Sequence, residues 1–439
     1  MEGGTQPTRP PSGPRGGAVA RAQVLSAMSR PGAVAVCAFG LFYLGDILIH
    51  LPGASHRGDF SAYYLSGLAI RLGLNPYAVS LNRLAGQFGF TPLPFDHPAD
   101  TPTMNLAFAL LSWLRPESAY RVWFGIELAA LFGALAIMFR STGRQGRGVE
   151  IALGVFALAF TPLADNFRWA QSQTIVLLGL AMVFAFVREG RDAPAGIALG
   201  VLGLLRVYPL VMGGYLLARG RWRSLAWMAA TIAAGGAATA AIVGTDALRN
   251  YIGVLGLAGG SQWLSLDPRL YFGGANFSLS AFIARPIEAI FGDGAAARAA
   301  IFHRGFIAMA DVAIVACAFR ATRAGDDDDG RAFSLWVVTM LILSPIVWAH
   351  YLAVLLLPFA QIALAALNGR VTAGTWSWAM TSWCAIVLAT PIMADFALAF
   401  SYADWRVAAL SEAGFIGLFA AWIAAWRFAT ETSSGRAAQ

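Results

Sequence analysis

Lysine is missing altogether: the 31 basic residues of this 439-residue chain are all arginine. That bias fits a GC-rich genome and carries little functional information. Charge of either sign is scarce, at 13% of residues, where a soluble domain carries about a quarter. A soluble globular domain is therefore excluded. Cysteine is nearly absent too. Cys37, Cys317 and Cys384 fall inside apolar stretches, at no disulfide or metal spacing, and read as small core hydrophobes. The net charge of +7 is ordinary for a membrane protein with basic cytoplasmic loops, and nothing points to nucleic acid. The first apolar run lacks a small-residue cleavage site and reads as a retained helix rather than a signal peptide.

What the chain has in abundance is apolar sequence. Hydrophobic residues make up 58% of it, and the mean hydropathy is +0.61. Long apolar runs recur from residue 33 to residue 428, which predicts an all-α polytopic membrane protein. Residues 1–31, with Arg9, Arg15, Arg21 and Arg30 among Pro, Gly and Ser, read as a disordered cytoplasmic tail. Residues 32–428 form the membrane domain and 429–439 a second cytoplasmic tail. Ten spans are expected, beginning with Ala33 to Leu51 and Ala119 to Phe139 and ending with Ala408 to Phe428. Alternating them from an inside N-terminus puts Arg140, Arg188, Arg219, Arg221, Arg223, Arg320, Arg370 and Arg427 inside. The acidic run Asp326 to Asp329 also lands inside, as a solvated loop.

One segment breaks the alternation. Ala195 to Leu217 is long enough to span, yet Arg flanks both ends and Arg206-Val-Tyr-Pro209 interrupts its middle. Two half-helices that enter and leave on the cytoplasmic side satisfy the charge rule, and a Pro-kinked through-span is the alternative. Broken helices at membrane depth occur where they line a cavity or pack inside protein.

A carboxylate, Asp59, stands just past the end of the first apolar run and opens an aromatic, Gly-containing stretch from Gly58 to Arg71. Ionisable groups at a bilayer boundary are costly and are usually kept for chemistry or transport. An Asp that merely caps the following helix would explain its position equally simply. On the same outer face the topology collects Tyr63, Tyr64 and Tyr77; Asp165 through Gln173, including Arg168 and Gln171; Asp267, Arg269, Asn276, Ser278 and Arg285; and Leu343 through Tyr351 with Trp348 and His350. A site facing outward would look like this. Trp and Tyr also anchor any membrane protein at its interfaces, and a lone interfacial His is more often a hydrogen-bonder than a catalyst.

The residues carry a resemblance. Asp59-Phe-x-x-Tyr63-Tyr64-x-x-Gly67 with Asn75-Pro76-Tyr77 resembles the signature of glycosyltransferase family 87. In order there follow Trp169-Ala-Gln171, Ala195-Gly196-x3-Gly200, Arg206-x-Tyr208-Pro209, Asn276-Phe-Ser278-Leu and Ser344-Pro345-x-x-Trp348-x-His350-Tyr351. The family usually has Lys where Arg206 stands, and its Tyr-Pro-Pro after the first loop is replaced by Thr101-Pro102-Thr103-Met104-Asn105. The resemblance, over about residues 40 to 365, implies a GT-C-like bundle similar to polyprenol-phosphate-mannose-dependent mannosyltransferases. It implies transfer of a hexose, mannose above all, from a polyprenyl-phosphate sugar to a glycolipid or polysaccharide acceptor. Transfer would take place on the extracytoplasmic face of the plasma membrane, among membrane lipids. It makes Asp59 the general base of an inverting reaction. No Asp-x-Asp motif sits in the outer loops, so no metal and no cofactor is indicated. The leaving phosphate needs cations, for which Arg206 and His350, with Arg168 or Arg269, are the candidates. Tyr63, Tyr64, Gln171, Tyr208, Asn276, Trp348 and Tyr351 are the candidate substrate contacts.

Two other classes compete. A lipid or solute transporter would also keep broken helices and charges near the midplane, but no inverted repeat relates the halves and the distinctive residues share one face. An O-antigen ligase-type enzyme would carry its long outer loop in the later half. The topology is testable by a single-cysteine labelling series with an impermeant thiol reagent, position 61 included, in a protein freed of Cys37, Cys317 and Cys384: positions in the first loop are expected to react in intact cells. Reaction only after permeabilisation would put Asp59 on the inner side.

Overall fold

The computed structural model describes residues 31–50, 58–93, 98, 100–141, 147–258, 276–292, 295–298, 300–325, 329–396 and 405–431. Most of the first tail, the end of the second, and Asp267, Arg269 and Asp326 to Asp328 lie outside the described residues. The described residues are almost all helical, and among them the only β-pairing is one isolated bridge, Asn276 to Trp348.

Helix α1 (Pro31–His50) leads to α2 (Gly58–Arg71), α3 (Leu81–Phe88) and α4 (Pro102–Leu111), then the long α5 (Pro116–Ser141). Next come α6 (Arg147–Leu158), α7 (Thr161–Trp169), α8 (Gln173–Arg188) and α9 (Asp192–Leu205). A 3-10 segment (Tyr208–Met212) joins α9 to α10 (Gly213–Ala218), followed by α11 (Trp222–Val243) and α12 (Thr245–Ala258). The last third holds α13 (Leu279–Phe291), α14 (Ala300–Ala324), α15 (Asp329–Ile342), a 3-10 segment (Ala349–Leu355), α16 (Leu356–Leu367), α17 (Ala373–Phe396) and α18 (Trp405–Thr430).

Six described helices are long and apolar enough to cross a membrane, or seven if the bent pair α6–α7 is one span, against the ten spans expected. Gln173–Arg188 and Gly330–Ile342 are apolar but shorter. Both pack on neighbouring helices, with Leu177, Leu180, Phe184, Phe333, Trp336 and Leu341 fully buried. A helix enclosed by protein has its backbone satisfied internally and need not match the bilayer thickness. By contrast α14 turns Ile301, Phe302, Met309 and Val312 outward, the face lipid would cover.

Two breaks shape the interior. The chain bends by 52° between α6 and α7, where Ala159 and Phe160 leave the helix and Thr161-Pro162 start the next one. The expected break at Arg206 is present: its backbone is extended (φ −145°, ψ 133°) between α9 and the 3-10 segment. Asp192, at the start of α9, meets Arg221 at 3.4 Å and accepts a 2.8 Å hydrogen bond from Ser224. The chain from 192 to 221 therefore goes in and comes back to the same end, as a hairpin with Arg206 near its tip.

Close crossings depend on glycine at two points. At Gly40 of α1 a Cβ would lie 1.9 Å from the Ala159 carbonyl oxygen, at the α6–α7 break. At Gly67 of α2 it would lie 2.3 Å from the Phe108 carbonyl carbon of α4. That α2–α4 crossing carries the shelf on which Asp59 stands. Forcing atoms into such a contact typically costs about 1–3 kcal/mol. Gly67→Val is expected to lower the unfolding temperature in detergent and activity together; an unchanged melting curve would show that α2 is free to move off α4.

Candidate active site

The site begins with an aromatic shelf. Tyr63 lies 5.0 Å from Phe108, Phe108 lies 4.6 Å from Trp123, and Phe60 meets Tyr120 edge-on at 5.1 Å (ring centroids). Phe60, Tyr63 and Phe108 are almost completely buried. Burying aromatics in such offset and edge-on contacts holds a helix firmly. It fixes α2 so that Asp59, in its first turn, points at the turn between α7 and α8.

That turn supplies three consecutive polar side chains. Ala170, at φ 52°, ends α7 in the left-handed conformation, and the chain then enters α8 through Gln171, Ser172 and Gln173. The Gln171 amide nitrogen donates to Asp59 Oδ2. Its oxygen accepts from Tyr63 Oη at 2.7 Å and from Arg206 Nη2 at 3.0 Å. Tyr208 Oη donates to the Gln173 side-chain oxygen.

Arg206 is the most heavily bonded group. Its Nε donates to Ser172 Oγ at 2.8 Å, Nη1 to Asp100 Oδ1 at 2.5 Å, and Nη2 to both Tyr63 Oη at 2.5 Å and Gln171. Four N–H groups of five are thus engaged by protein. Asp100 is held in turn by its neighbours: Tyr77 Oη donates to its carbonyl, and Asn105 Nδ2 donates to Tyr77 Oη at 3.0 Å. Thr101 Oγ1 donates to the Leu205 carbonyl at 3.1 Å, satisfying backbone left open where α9 breaks.

The segment after α15 adds the last members. His350 Nδ1 lies 3.5 Å from Asp165 Oδ2, and its Nε2 is buried without a hydrogen-bond partner among the described residues. Tyr351 stacks on Tyr208 at 5.2 Å and 19°. Burial pushes the Asp59 carboxyl above the ordinary range, while His350, the Gln171 hydrogen bond and Arg206 pull it back. Burial also raises Asp100, against the opposing pull of Arg206. The two carboxylates differ in availability: Asp100 is clamped by a cation, whereas Asp59 is bonded by a neutral amide.

Of the residues singled out from sequence, the fold brings together Asp59, Tyr63, Gln171, Arg206, Tyr208, His350 and Tyr351. Arg269 lies outside the described residues, and three of the others point elsewhere. Tyr64 Oη donates to the Leu114 carbonyl at 2.8 Å. Arg168 donates to Tyr43 Oη at 3.3 Å and lies over Trp169. Asn276 is fully buried, its side-chain oxygen accepting from the Ser278 and Val347 amides at 3.1 and 3.0 Å, so it staples two motifs together beside Trp348. Asp100 and Glu127 escaped the sequence reading, and Ser172, though inside the outer stretch 165–173, was not among the candidate contacts. Asp100 looks like an ordinary loop residue before a Thr-Pro helix start. Glu127 did carry a signal, a lone carboxylate inside the apolar run 119–139.

Because the Arg206–Asp100 pair is almost closed to solvent, removing one partner leaves an uncompensated charge, at a cost of about 3–5 kcal/mol. Asp100→Ala is expected to lose most of that stability and Asp100→Asn, which keeps an acceptor oxygen, clearly less. Equal melting temperatures for wild type and Asp100→Ala would show the pair to be energetically idle.

Comparison with known proteins agrees with this picture. The model of glycosyltransferase family 87 matches residues 100–345, from Asp100 to Pro345 and so through Gln171 and Arg206. The polyprenol-phosphate-mannose-dependent alpha-(1-2)-phosphatidylinositol pentamannoside mannosyltransferase of Mycolicibacterium smegmatis is 28% identical over 302 residues, 65% of this chain and 66% of the relative. The protein of the same name from Mycobacterium tuberculosis is 28% identical over 265 residues, 59% of this chain and 56% of the relative. The chain thus spans just under two thirds of the first relative's length and somewhat over half of the second's. No solved structure matches. A family match over more than half of the chain, which takes in Asp100, Gln171, Ser172 and Arg206 but not Asp59, Tyr63 or His350, makes this protein a member of glycosyltransferase family 87.

Proposed function

We propose that the protein is a membrane glycosyltransferase that moves mannose from a polyprenyl-phosphate donor to a hydroxyl of a lipid- or polysaccharide-linked acceptor, on the extracytoplasmic face. The observation that carries the reading is one carboxylate, Asp59, held by the neutral Gln171 amide beside a buried cationic cluster. Family membership and the names of the two relatives support the donor class. The arginine distribution supports the outward face, since it leaves Asp59 opposite the Arg-rich loops.

In the proposed step the acceptor oxygen attacks the anomeric carbon as the bond from that carbon to the phosphate oxygen breaks. Polyprenyl phosphate leaves with the bonding electron pair, the anomeric configuration inverts, and the acceptor proton passes to Asp59. A base works best when its pKa approaches the working pH, and the burial that raises Asp59 acts in that direction. Asp100 is the poorer base, since accepting a proton would break its pairing with Arg206. The leaving phosphate meets His350 through Nε2, which has no protein partner among the described residues, and the one Arg206 N–H not engaged by protein. Tyr208 and Tyr351 offer stacked rings at the same end of the site, a surface suited to the apolar face of a sugar.

The test is transfer from synthetic polyprenyl-phosphate mannose by the purified protein. Asp59→Asn keeps size and much of the hydrogen bonding, and is expected to lower the rate about a hundred- to ten-thousand-fold. In the wild type the acid limb of kcat/KM should lie above about pH 3.9, the value of an ordinary Asp, because the reactive form is the carboxylate and burial delays its formation as pH rises. A folded Asp59→Asn variant with near wild-type transfer would end the assignment of the base.

A further inference from the structure

Glu127 places a carboxyl group inside a span, 1% exposed, and among the described residues it is hydrogen-bonded to none of the groups to which the reaction above assigns a role. Such a residue is costly to keep in a membrane segment, and its surroundings suggest a purpose. Asn166 Nδ2 donates to Glu127 Oε2 at 2.6 Å. Asn166 spends its other polar atoms on the turn that follows: its side-chain oxygen accepts from the Gln173 amide and its carbonyl from the Gln171 amide, both at 2.9 Å. Trp123, four residues before Glu127 and so on the same face of α5, donates from its indole nitrogen to the Ala170 carbonyl at 2.8 Å. Two residues of one helix thus grip the segment 166–173 at two points.

That segment needs external support. Ala170 holds a left-handed conformation, which costs a residue other than glycine roughly 1–2 kcal/mol. The next three side chains are Gln171 on Asp59 and Arg206, Ser172 on Arg206, and Gln173 on Tyr208. A small rotation of the turn would displace all four contacts at once, and displacements of about 1 Å near a reacting centre can cost a hundredfold in rate.

We propose that Glu127 is a positioning residue: by holding Asn166 it sets the 170–173 turn, and through that turn it keeps the Gln171 amide on the Asp59 carboxylate. The proposal rests on the reading of Asp59 as the general base. Two consequences separate it from simple support of the fold. Only the acceptor oxygen of Glu127 matters to Asn166, so Glu127→Gln should serve nearly as well as Glu. Also, Asp59 without its Gln171 donor holds its proton more tightly, so disturbing Glu127 should move the pH profile of the distant base.

The decisive experiment is an exchange of donor and acceptor in the full-length protein, assayed with synthetic polyprenyl-phosphate mannose. Asn166→Asp removes the donor to Glu127 and sets two carboxyl groups face to face. It is expected to lower kcat/KM at least about tenfold and to move the acid limb upward by about one pH unit, the size of one hydrogen bond to a charged group. Adding Glu127→Gln restores a donor on the α5 side, and the carboxylate introduced at position 166 accepts from it and from the Gln173 amide. The double variant should recover most of the rate and the original acid limb. Glu127→Leu should behave like Asn166→Asp; if it fails to fold, the exchange pair alone decides. A drop in rate with an unmoved acid limb, no drop at all, or no recovery in the double variant would each overturn the proposal. Asp59→Asn in the same assay keeps the two readings apart. If it is active, the base assignment fails. If it is inactive while Asn166→Asp matches wild type, only the role of Glu127 fails.

Discussion

One buried guanidinium ties the interior together. Arg206 reaches side chains from three other parts of the chain: Tyr63 of α2, Asp100 ahead of α4, and Gln171 and Ser172 in the turn before α8. Taking a charge out of water costs several kcal/mol, and only close pairing with well-aimed hydrogen bonds offsets that. The geometry of Arg suits the task because its donors radiate in a plane at set angles. Each partner is thereby told where to lie relative to the other three. An ammonium group, with one charge centre and no fork, would leave that arrangement underdetermined.

The helix breaks follow from the same requirement. A continuous helix through residue 206 would bond its own backbone and send its side chain outward like any other. The extended conformation at Arg206 frees the neighbouring carbonyls, and Thr101 takes up the one from Leu205. The hairpin returns to the end at which it entered, where Asp192 meets Arg221 and Ser224. A second interruption, at Ala159 and Phe160, lets α7 diverge from α6 by 52° and bring Asp165, Asn166 and the Gln171 turn into the interior. Irregular backbone at this depth is confined to places where protein encloses it, and both breaks lie against fully buried residues such as Phe160 and Met212.

Charge is arranged in layers around Asp59. Nearest is a neutral amide, Gln171; beyond it stands the cationic Arg206, already balanced by Asp100. His350, itself 3.5 Å from Asp165, is close enough to Asp59 to act on its charge as well. In a low-dielectric interior each unit of charge has a long reach, so a carboxylate placed directly on Arg206 would be held too firmly to accept a proton. The intervening amide keeps Asp59 fixed in place without that penalty.

Much of this protein is written in its sequence. Scarce charge and recurrent apolar runs determine an all-helical membrane class, because a helix satisfies its backbone hydrogen bonds inside lipid within one segment. The motif order determines the family, and Arg206-Val-Tyr-Pro209 marks the break, since a charge and a proline in the middle of an apolar run cannot sit in an ordinary lipid-facing helix. Asp59 stands out by its place at a helix mouth. The partners are another matter. That Arg206 meets Asp100, that Gln171 bridges it to Asp59, and that Glu127 grips Asn166 depend on how far each helix is rotated and how deep it sits. Periodicity in a uniformly apolar helix leaves both open, because every face looks alike. Tyr64, Arg168 and Asn276 teach the same lesson from the other side: each has the right chemistry in the right motif, yet its side chain is spent on Leu114, Tyr43 and Val347. Direction is decided by the close crossings at Gly40 and Gly67 and by the breaks at 159–160 and 206, which act only once the helices have packed.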